Sequence, residues 1–468
     1  MTDTTAETRV KTTAESTAEI TAEITAESTV ETGWISANAG PVPDEMTATD
    51  LVVRGALPPE LSGRYLRNGP NPPSGTAAHW FLGDGMIHGV ELSGGRATGY
   101  RNRWVRTKQL DGTGEYVDAL GHVDLSVGAA NTSVVAHAGR IMALVESSWP
   151  TEITAELDTV GPWDFDGRLT TAMTAHPKID PGTGEMHFYG GGFFPPYLTY
   201  HCADATGTLV SSRVIDTPAP TMIHDFAMTE HHVLFMDLPV VFDLELAMTG
   251  ALPYRWSDSH GARLGVLAKG DPEAQPTWYE VEPCFVFHTL NAFEEDGRIV
   301  LEGCRYAELW RDGPGGFTPT TLHRWTIDPV AGRAAEETVS DRPVEFPRVA
   351  DDRVGRRHRF GYLVQGADDE AHGPEGTVLA RHDRDTDTVV THDFGPGTSV
   401  GEGIFVAAEG GTTDEDGWVL SYVFDAARGT SDLVVLDASD LAGPEVAAVE
   451  LPRRVPAGFH GTWIPDRP

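Results

Sequence analysis

Four histidines stand where an imidazole could bind a metal. His176 precedes Pro177 in Thr-Ala-His-Pro-Lys, His224 lies in Met-Ile-His-Asp-Phe, His288 ends the apolar run Cys-Phe-Val-Phe-His, and His460 sits between Phe459 and Gly461. Neutral imidazole is the common protein ligand of iron, copper and zinc. Four nitrogens without a thiolate, leaving coordination positions free, suit a ferrous ion that must also take up O2; the spacing alone does not choose the metal. A ligating imidazole needs a partner on its other nitrogen to fix tautomer and orientation. Glu146 in Ala-Leu-Val-Glu-Ser, Glu345 in Val-Glu-Phe-Pro-Arg and Glu402 in Gly-Glu-Gly-Ile-Phe are flanked by apolar residues and are candidates for that task. The plainer alternative makes each histidine a satisfied core group and each acid one of 70 Asp and Glu. His187, His231, His232, His358, His372, His382 and His392 sit beside turns or charges and are expected to be solvated.

The elements that would carry these residues read as strands. Ile141–Val145, Val233–Asp237, Ile299–Glu302, Trp418–Phe424 and Leu433–Leu436 are short and apolar, and turn signals such as Asp180-Pro-Gly-Thr-Gly, Asp296-Gly and Asp416-Gly punctuate the chain. With 51 Gly and 32 Pro, long helices are not expected, which leaves an all-β sandwich, barrel or propeller. His288, Glu345, Glu402 and His460 are separated by 57, 57 and 58 residues, and His176, His224 and His288 by 48 and 64. A four-stranded propeller blade with its loops takes roughly 40–50 residues or more. The spacing therefore fits seven or eight blades, each sending a polar side chain toward the axis. Residues 1–32 form a Thr/Ala/Glu-rich acidic tail expected to be disordered, and 33–468 a single domain.

Bulk properties narrow the classes. The 70 acids against 34 Lys and Arg give a formal net charge of -36, a field that repels phosphate backbones and argues against nucleic-acid binding. Three scattered cysteines, Cys202, Cys284 and Cys304, make neither a disulfide framework nor a thiolate zinc site. No run reaches the roughly 20 apolar residues of a membrane span, and the first thirty residues lack the apolar core of a secretory signal. The expectation is a cytoplasmic protein with no protein partner, in which peripheral membrane contact stays open.

Several segments resemble the carotenoid cleavage oxygenase family, in that family's order. They are Gly63-Arg-Tyr-Leu-Arg-Asn-Gly-Pro-Asn-Pro72, Gly83-Asp-Gly-Met-Ile-His-Gly89, Tyr100-Arg-Asn-Arg-Trp-Val-Arg-Thr107, Ala175-His-Pro-Lys-Ile-Asp-Pro181, Met222-Ile-His-Asp-Phe226, Glu345-Phe-Pro-Arg348 and Phe459-His-Gly-Thr-Trp463. The resemblance covers about Gly33 to Pro465. It implies a seven-bladed β-propeller capped by helical loops, with one Fe(II) per chain held by His176, His224, His288 and His460. It also implies that Glu146, Glu345 and Glu402 orient three of these rings. His88 matches a family feature that is not a ligand and is read as structural. The implied reaction uses O2 to cleave a conjugated carbon–carbon double bond of a hydrophobic small molecule into two carbonyl products.

Apolar residues near the ligand segments are candidates for a substrate tunnel: Trp149, Phe193, Phe194, Tyr197, Phe285, Phe287 and Phe293. Within the family, the branch that cleaves stilbenes carries a Lys just before the first orienting glutamate, with a phenol-binding Tyr to which Tyr100 could correspond. This chain has Val145 there, which suits a carotenoid or apocarotenoid better than a stilbene or phenylpropene. Two other classes remain: a non-catalytic propeller that binds a ligand or partner, which would bind no metal tightly, and an iron-dependent isomerase or hydrolase, which would not need O2.

Overall fold

In the computed structural model, which describes residues 38–118, 122–366 and 376–466, the apolar runs are antiparallel strands. The tail expected at 1–32 and His372 lie outside the described residues. The five runs named above fall within Arg140–Leu144 (Val145 just past its end), His232–Asp237, Arg298–Tyr306, Gly417–Asp425 and Thr430–Asp437. Asp296 and Gly297 have φ of 51° and 74°, the left-handed pair that lets a two-residue turn follow the twist of its flanking strands.

Among the described residues seven sheets stand around one axis, and an eighth of two strands pairs Val240–Phe242 with Tyr254–Trp256. Blade 1 holds Met46–Ala48, Gly63–Pro70, Gly85–Ser93, Arg96–Trp104 and the C-terminal strand Gly461–Pro465. Blades 2 to 6 follow in chain order, with inner strands Ser133–His137, Lys178–Ile179, Ala227–Met228, Phe285–Glu295 and Val344–Arg348. Blade 7 is built on Gly417–Asp425, Thr430–Asp437 and Ala447–Glu450, with Thr398–Val400 and Ile404–Ala407 on one side and the N-terminal strand Val52–Gly55 on the other. The ring is thus closed twice: Gly63–Pro70 pairs with Gly461–Pro465, and Val52–Gly55 with Ala447–Glu450.

Seven hydrophobic clusters fill the seven gaps between successive blades. Between blades 4 and 5, for example, Leu234, Met236 and Leu264 face Phe285, Leu301 and Trp325. At about 1.5–3 kcal/mol per fully buried large apolar side chain, these contacts hold the blades to one another, and hydrogen bonding holds each blade within itself. An eighth cluster, Trp80, Ala457 and Phe459 with Phe81 and Phe317, belongs to the cap. The cap is mostly loop: the α-helix among the described residues is Leu244–Met248, and Trp80–Leu82 is a single 3-10 turn.

The closure yields a test. Gly55 ends the N-terminal strand of blade 7 at φ 74°, and a Cβ there would lie 2.2 Å from the Val446 carbonyl oxygen. Gly55→Ala combines left-handed strain of about 1–2 kcal/mol with that collision. It is expected to lower the thermal melting temperature while leaving metal content per folded chain unchanged, read by calorimetry and elemental analysis.

Candidate metal centre

Seven blades deliver seven polar side chains to the axis, one each. His460 comes from blade 1, Glu146 from blade 2, His176, His224 and His288 from blades 3, 4 and 5, Glu345 from blade 6 and Glu402 from blade 7. Local breaks in the strands aim them. The inner strand of blade 5 slips register between Val286 and Thr289, around His288. That of blade 6 slips between Glu345 and Arg348, where Phe346 has φ 51°. Such bulges re-aim a side chain that regular alternation would send to a sheet face. His176, His224 and His460 lie in the short segments that lead into the inner strands of their blades, and Glu402 lies between Thr398–Val400 and Ile404–Ala407.

The four imidazoles converge. One nitrogen from each lies within 4.8 Å of the other three. His176 Nε2 is 3.0 Å from His224 Nε2, and the ring centroid of His176 is 4.5 Å from that of His460. Ligands about 2.1 Å from a shared ion stand roughly 3–4 Å apart, so the spacing suits one cation. Three of the rings are held from behind: His224 Nδ1 to Glu146 Oε2 at 2.6 Å, His288 Nδ1 to Glu345 Oε2 at 2.6 Å, and His460 Nδ1 to Glu402 Oε1 at 3.1 Å. An ionised carboxylate only accepts, so each Nδ1 carries the proton and each Nε2 turns a lone pair to the centre. His288 Nε2 is buried with no hydrogen-bond partner, the condition a metal would relieve.

Burial and charge set the protonation of the site. Burial, reinforced by the other imidazoles, pushes His176 far below the ordinary histidine range. Burial outweighs Glu402 and lowers His460 to about 4, which keeps its ring neutral. Burial also works against the charged form of His288, but the charge and hydrogen bond of Glu345 overcome it and raise the ring. Burial would raise Glu402, yet Arg348 and His460 hold it below the usual range. Glu345 also accepts the Phe346 N–H at 2.7 Å and the Tyr306 hydroxyl at 3.0 Å.

The two sides of the quartet differ. On one stands an aromatic wall: Phe81 lies parallel to His224 at 6.5 Å, Phe287 meets that ring edge-on at 5.3 Å, and Trp310, Phe317 and Phe459 pack behind. On the other, a cavity of about 690 Å3 runs between the inner strands, lined near the centre by Lys178, Asp225, Thr289 and Arg348. Sequence reasoning missed Phe81, Trp310, Phe317, Phe459, and Phe346, whose ring stacks on His288 at 5.4 Å. Phe346 and Phe459 were the findable ones, since each adjoins a site residue in the chain. A second group of metal-capable atoms, on Glu185, His187 and Cys202, offers three donors only. The Lys269 ammonium bears on both His187 and Cys202 there, which disfavours a cation.

The tunnel candidates scatter. Phe287 belongs to the aromatic wall, with Phe285 behind it at 4.7 Å. Phe193 packs at a tilt against Phe242, ring centres 4.5 Å apart, and Phe194 is 69 % exposed on the surface. Tyr197 is half-buried at the end of that loop, its carbonyl accepting the Gly192 N–H. Val145 is buried beside Glu146, and Trp149 packs on the cluster between blades 2 and 3. Two assignments fail. Phe293 is five residues beyond His288 on one strand, about 16 Å at the usual rise, and packs on His358 and under Arg384. Tyr100 is enclosed between blades 7 and 1, with its hydroxyl on His88 Nδ1 at 2.8 Å, so it cannot bind a substrate phenol. Three histidines expected in solvent are buried: His187 bonds the Tyr200 hydroxyl, His358 lies 3.2 Å from Glu302, and His382 bonds Asp387.

Comparison with known proteins follows the same outline. The family model described as retinal pigment epithelial membrane protein matches residues 39–465. A carotenoid cleavage oxygenase of Mycobacterium tuberculosis is 38 % identical over 482 residues, covering 91 % of this chain and 96 % of that one. Cobalt-substituted apocarotenoid oxygenase of Synechocystis superposes with a TM-score of 0.82 at 28 % identity, covering 93 % of this chain and 98 % of its own. Lignostilbene dioxygenase of Pseudomonas brassicacearum superposes with a TM-score of 0.83 at 28 % identity, covering 92 % and 98 %.

Removing one ring tests the centre. His288→Ala is expected to abolish stoichiometric metal, and Glu345→Gln to weaken metal binding by about 10–100-fold, the usual cost of losing an orienting partner. Equilibrium dialysis under anaerobic conditions reads both; full metal content in His288→Ala would remove that residue from the ligand set.

Proposed function

The chain belongs to the carotenoid oxygenase family and is an oxygenase of dioxygenase type, and on that premise we propose that it uses Fe(II) and O2 to split one conjugated double bond of a carotenoid or apocarotenoid. The observation that carries the reading is the convergence of four imidazole nitrogens at the foot of an aromatic wall. In this reading His176, His224, His288 and His460 hold the ion, and Glu146, Glu345 and Glu402 keep three of the rings in the ligating tautomer. Four neutral donors fit ferrous iron and leave coordination positions free. When bound, ferrous iron supplies the route by which O2 can react with an alkene. The balance is simple: one C=C and one O2 give two C=O groups, one oxygen in each product, with no external reductant.

The remaining tasks fall to side chains. Phe81, Phe287, Trp310 and Phe317 offer flat apolar surface against which a polyene can lie, and they exclude water from the reacting bond. Glu345 and Glu402 are each bonded to a histidine and a backbone N–H, which leaves neither free as a general base. An apolar route to the wall is supported by Phe193 on Phe242, Phe242 on Tyr254 at 6.4 Å, and Tyr254 packed on the cluster that contains Phe285 and Phe287. At its outer end Phe194, Leu244 (62 % exposed) and Met248 (81 % exposed) present bare apolar surface. Among the described residues no helix is long and apolar enough to cross a membrane, so this patch is the proposed contact with a lipid surface that stores the substrate.

Two experiments test the proposal. Anaerobic loading with ferrous iron, then air and a panel of apocarotenals and hydroxystilbenes, is expected to give paired carbonyl products from the apocarotenals. Cleavage of the stilbenes alone would reassign the substrate, and turnover without O2 would point to isomerase or hydrolase chemistry. Separately, Met248→Glu combined with Phe194→Glu is expected to reduce sedimentation with lipid vesicles at least several-fold while sparing cleavage of detergent-dispersed substrate.

A further inference from the structure

The ligand-bearing segments of blades 3, 4 and 5 are joined by a set of bonds that involves no ligand side chain. Asp225 follows His224 and is only 2 % exposed. Its Oδ2 accepts the Thr289 backbone N–H at 2.9 Å and the Thr289 hydroxyl at 2.7 Å. Its Oδ1 accepts from Lys178 Nζ at 2.8 Å and from its neighbour's N–H, Phe226, at 2.7 Å. Lys178 is two residues after His176, and Thr289 one residue after His288. One buried carboxylate therefore ties together residues within two positions of three of the four histidines, each on a different blade.

The bonds occur where the sheets leave freedom. Thr289 stands on the register break of the blade 5 inner strand, the irregularity that presents His288 to the centre. Lys178 opens the inner strand of blade 3, which is only two residues long, and the inner strand of blade 4 is equally short. Ladder hydrogen bonds fix these segments weakly, so a further constraint is needed to hold them to a few tenths of an ångström. A buried carboxylate with four donors supplies it, each charge-assisted bond being shorter and stronger than a neutral one. The fourth histidine is secured through Glu402, which accepts from His460 and the Gly461 N–H and forms an ion pair with Arg348 at 3.6 Å.

We propose that the Lys178–Asp225–Thr289 bridge is a positioning device that fixes His176, His224 and His288 relative to one another, so that retention of the metal depends on a carboxylate whose own oxygens are engaged elsewhere. The inference rests on the quartet being a metal centre. It assigns Asp225, Lys178 and Thr289 a part in that centre without making them ligands or catalytic residues.

Cobalt(II), with its visible absorption, is the probe. Wild type, Asp225→Asn, Lys178→Met, Thr289→Val and Lys178→Arg are loaded with Co(II), and release to a chelator, the absorption spectrum, and melting with and without metal are measured. Asp225→Asn is expected to release cobalt about 10–100-fold faster with a shifted spectrum, as outer partners of metal ligands do. Lys178→Met and Thr289→Val, which leave the carboxylate in place, are expected to show smaller changes of the same sign, and Lys178→Arg to stay within about threefold of wild type. The rise in melting temperature on adding metal is expected to shrink in Asp225→Asn. If that rise is unchanged and release stays within twofold of wild type, the bridge serves only the fold and the inference is overturned; should Asp225→Asn fail to fold, Lys178→Met and Thr289→Val decide by the same two criteria. Wild type that takes up no cobalt removes the metal-centre reading itself, which separates the two failures.

Discussion

Everything at the axis depends on holding four electron-rich nitrogens face to face in a buried space, an arrangement that sterics and dipoles resist. The resistance is offset from behind. Glu345 gathers His288, the Phe346 N–H and the Tyr306 hydroxyl, and Glu402 gathers His460 and the Gly461 N–H. Charge-assisted bonds contribute about 1.5–3 kcal/mol each, and a buried carboxylate needs several to offset its lost hydration. Glu146, 27 % exposed at its side chain, keeps part of its hydration and manages with one such bond to His224. Apart from the Phe346 N–H, which is local to Glu345, donors and acceptors come from different blades, and the bonds of Glu402 to His460 and Gly461 exist only once the ring has closed. The two closing strand pairs are therefore part of the site as much as of the fold.

The same geometry gives the two sides of the quartet different linings. Inner strands bring Lys178, Asp225, Thr289 and Arg348 to the axial cavity together with aliphatic groups such as Val134, Leu290 and Val349, while the cap folds Phe81, Trp310 and Phe317 over the opposite face. A hydrophobic chain gains roughly 0.8 kcal/mol for each buried methylene-sized unit, and the aromatic wall offers it flat surface beside the histidines. The cavity side carries the Lys178–Asp225–Thr289 bonds beside the imidazoles. Separating the two jobs means that substrate contacts can vary without disturbing the bonds that aim the imidazoles.

How legible this was follows from where each residue sits. His288, Glu345, Glu402 and His460 occupy blades 5, 6, 7 and 1, so their even spacing of 57 and 58 residues measures one blade. The interval of 64 between His224 and His288 is longer because blade 4 carries the inserted hairpin Val240–Phe242 with Tyr254–Trp256 and the helix Leu244–Met248. Glu146 falls outside the rhythm, since it follows the second strand of its blade and not the first. Cap residues such as Phe81 and Phe317 obey no period, and only folding brings them to the centre. The buried His187 was hidden for a related reason: its partner Tyr200 is on the neighbouring strand, where local composition says nothing of it.

The choice between a polyene and a phenol turns on what stands beside Glu146. A phenolate there would need a cation, and the preceding residue is the buried Val145. The Tyr100 hydroxyl, the other group the resemblance offered, is committed to His88 in a different part of the molecule. Three other phenols lie near Glu146: burial pushes Tyr116 up to about 12 and raises Tyr254 and Tyr189 as well, and the Tyr189 hydroxyl donates to the His224 carbonyl. The Tyr116 hydroxyl already donates to the Ser147 carbonyl at 2.9 Å, and a neutral phenol cannot balance a negative charge. Burying an unpaired anion costs several kcal/mol or forces it to take a proton. A substrate that brings an apolar chain, with at most a neutral oxygen at its end, meets no such cost, and that difference is the physical ground for placing the carotenoid-type substrate first.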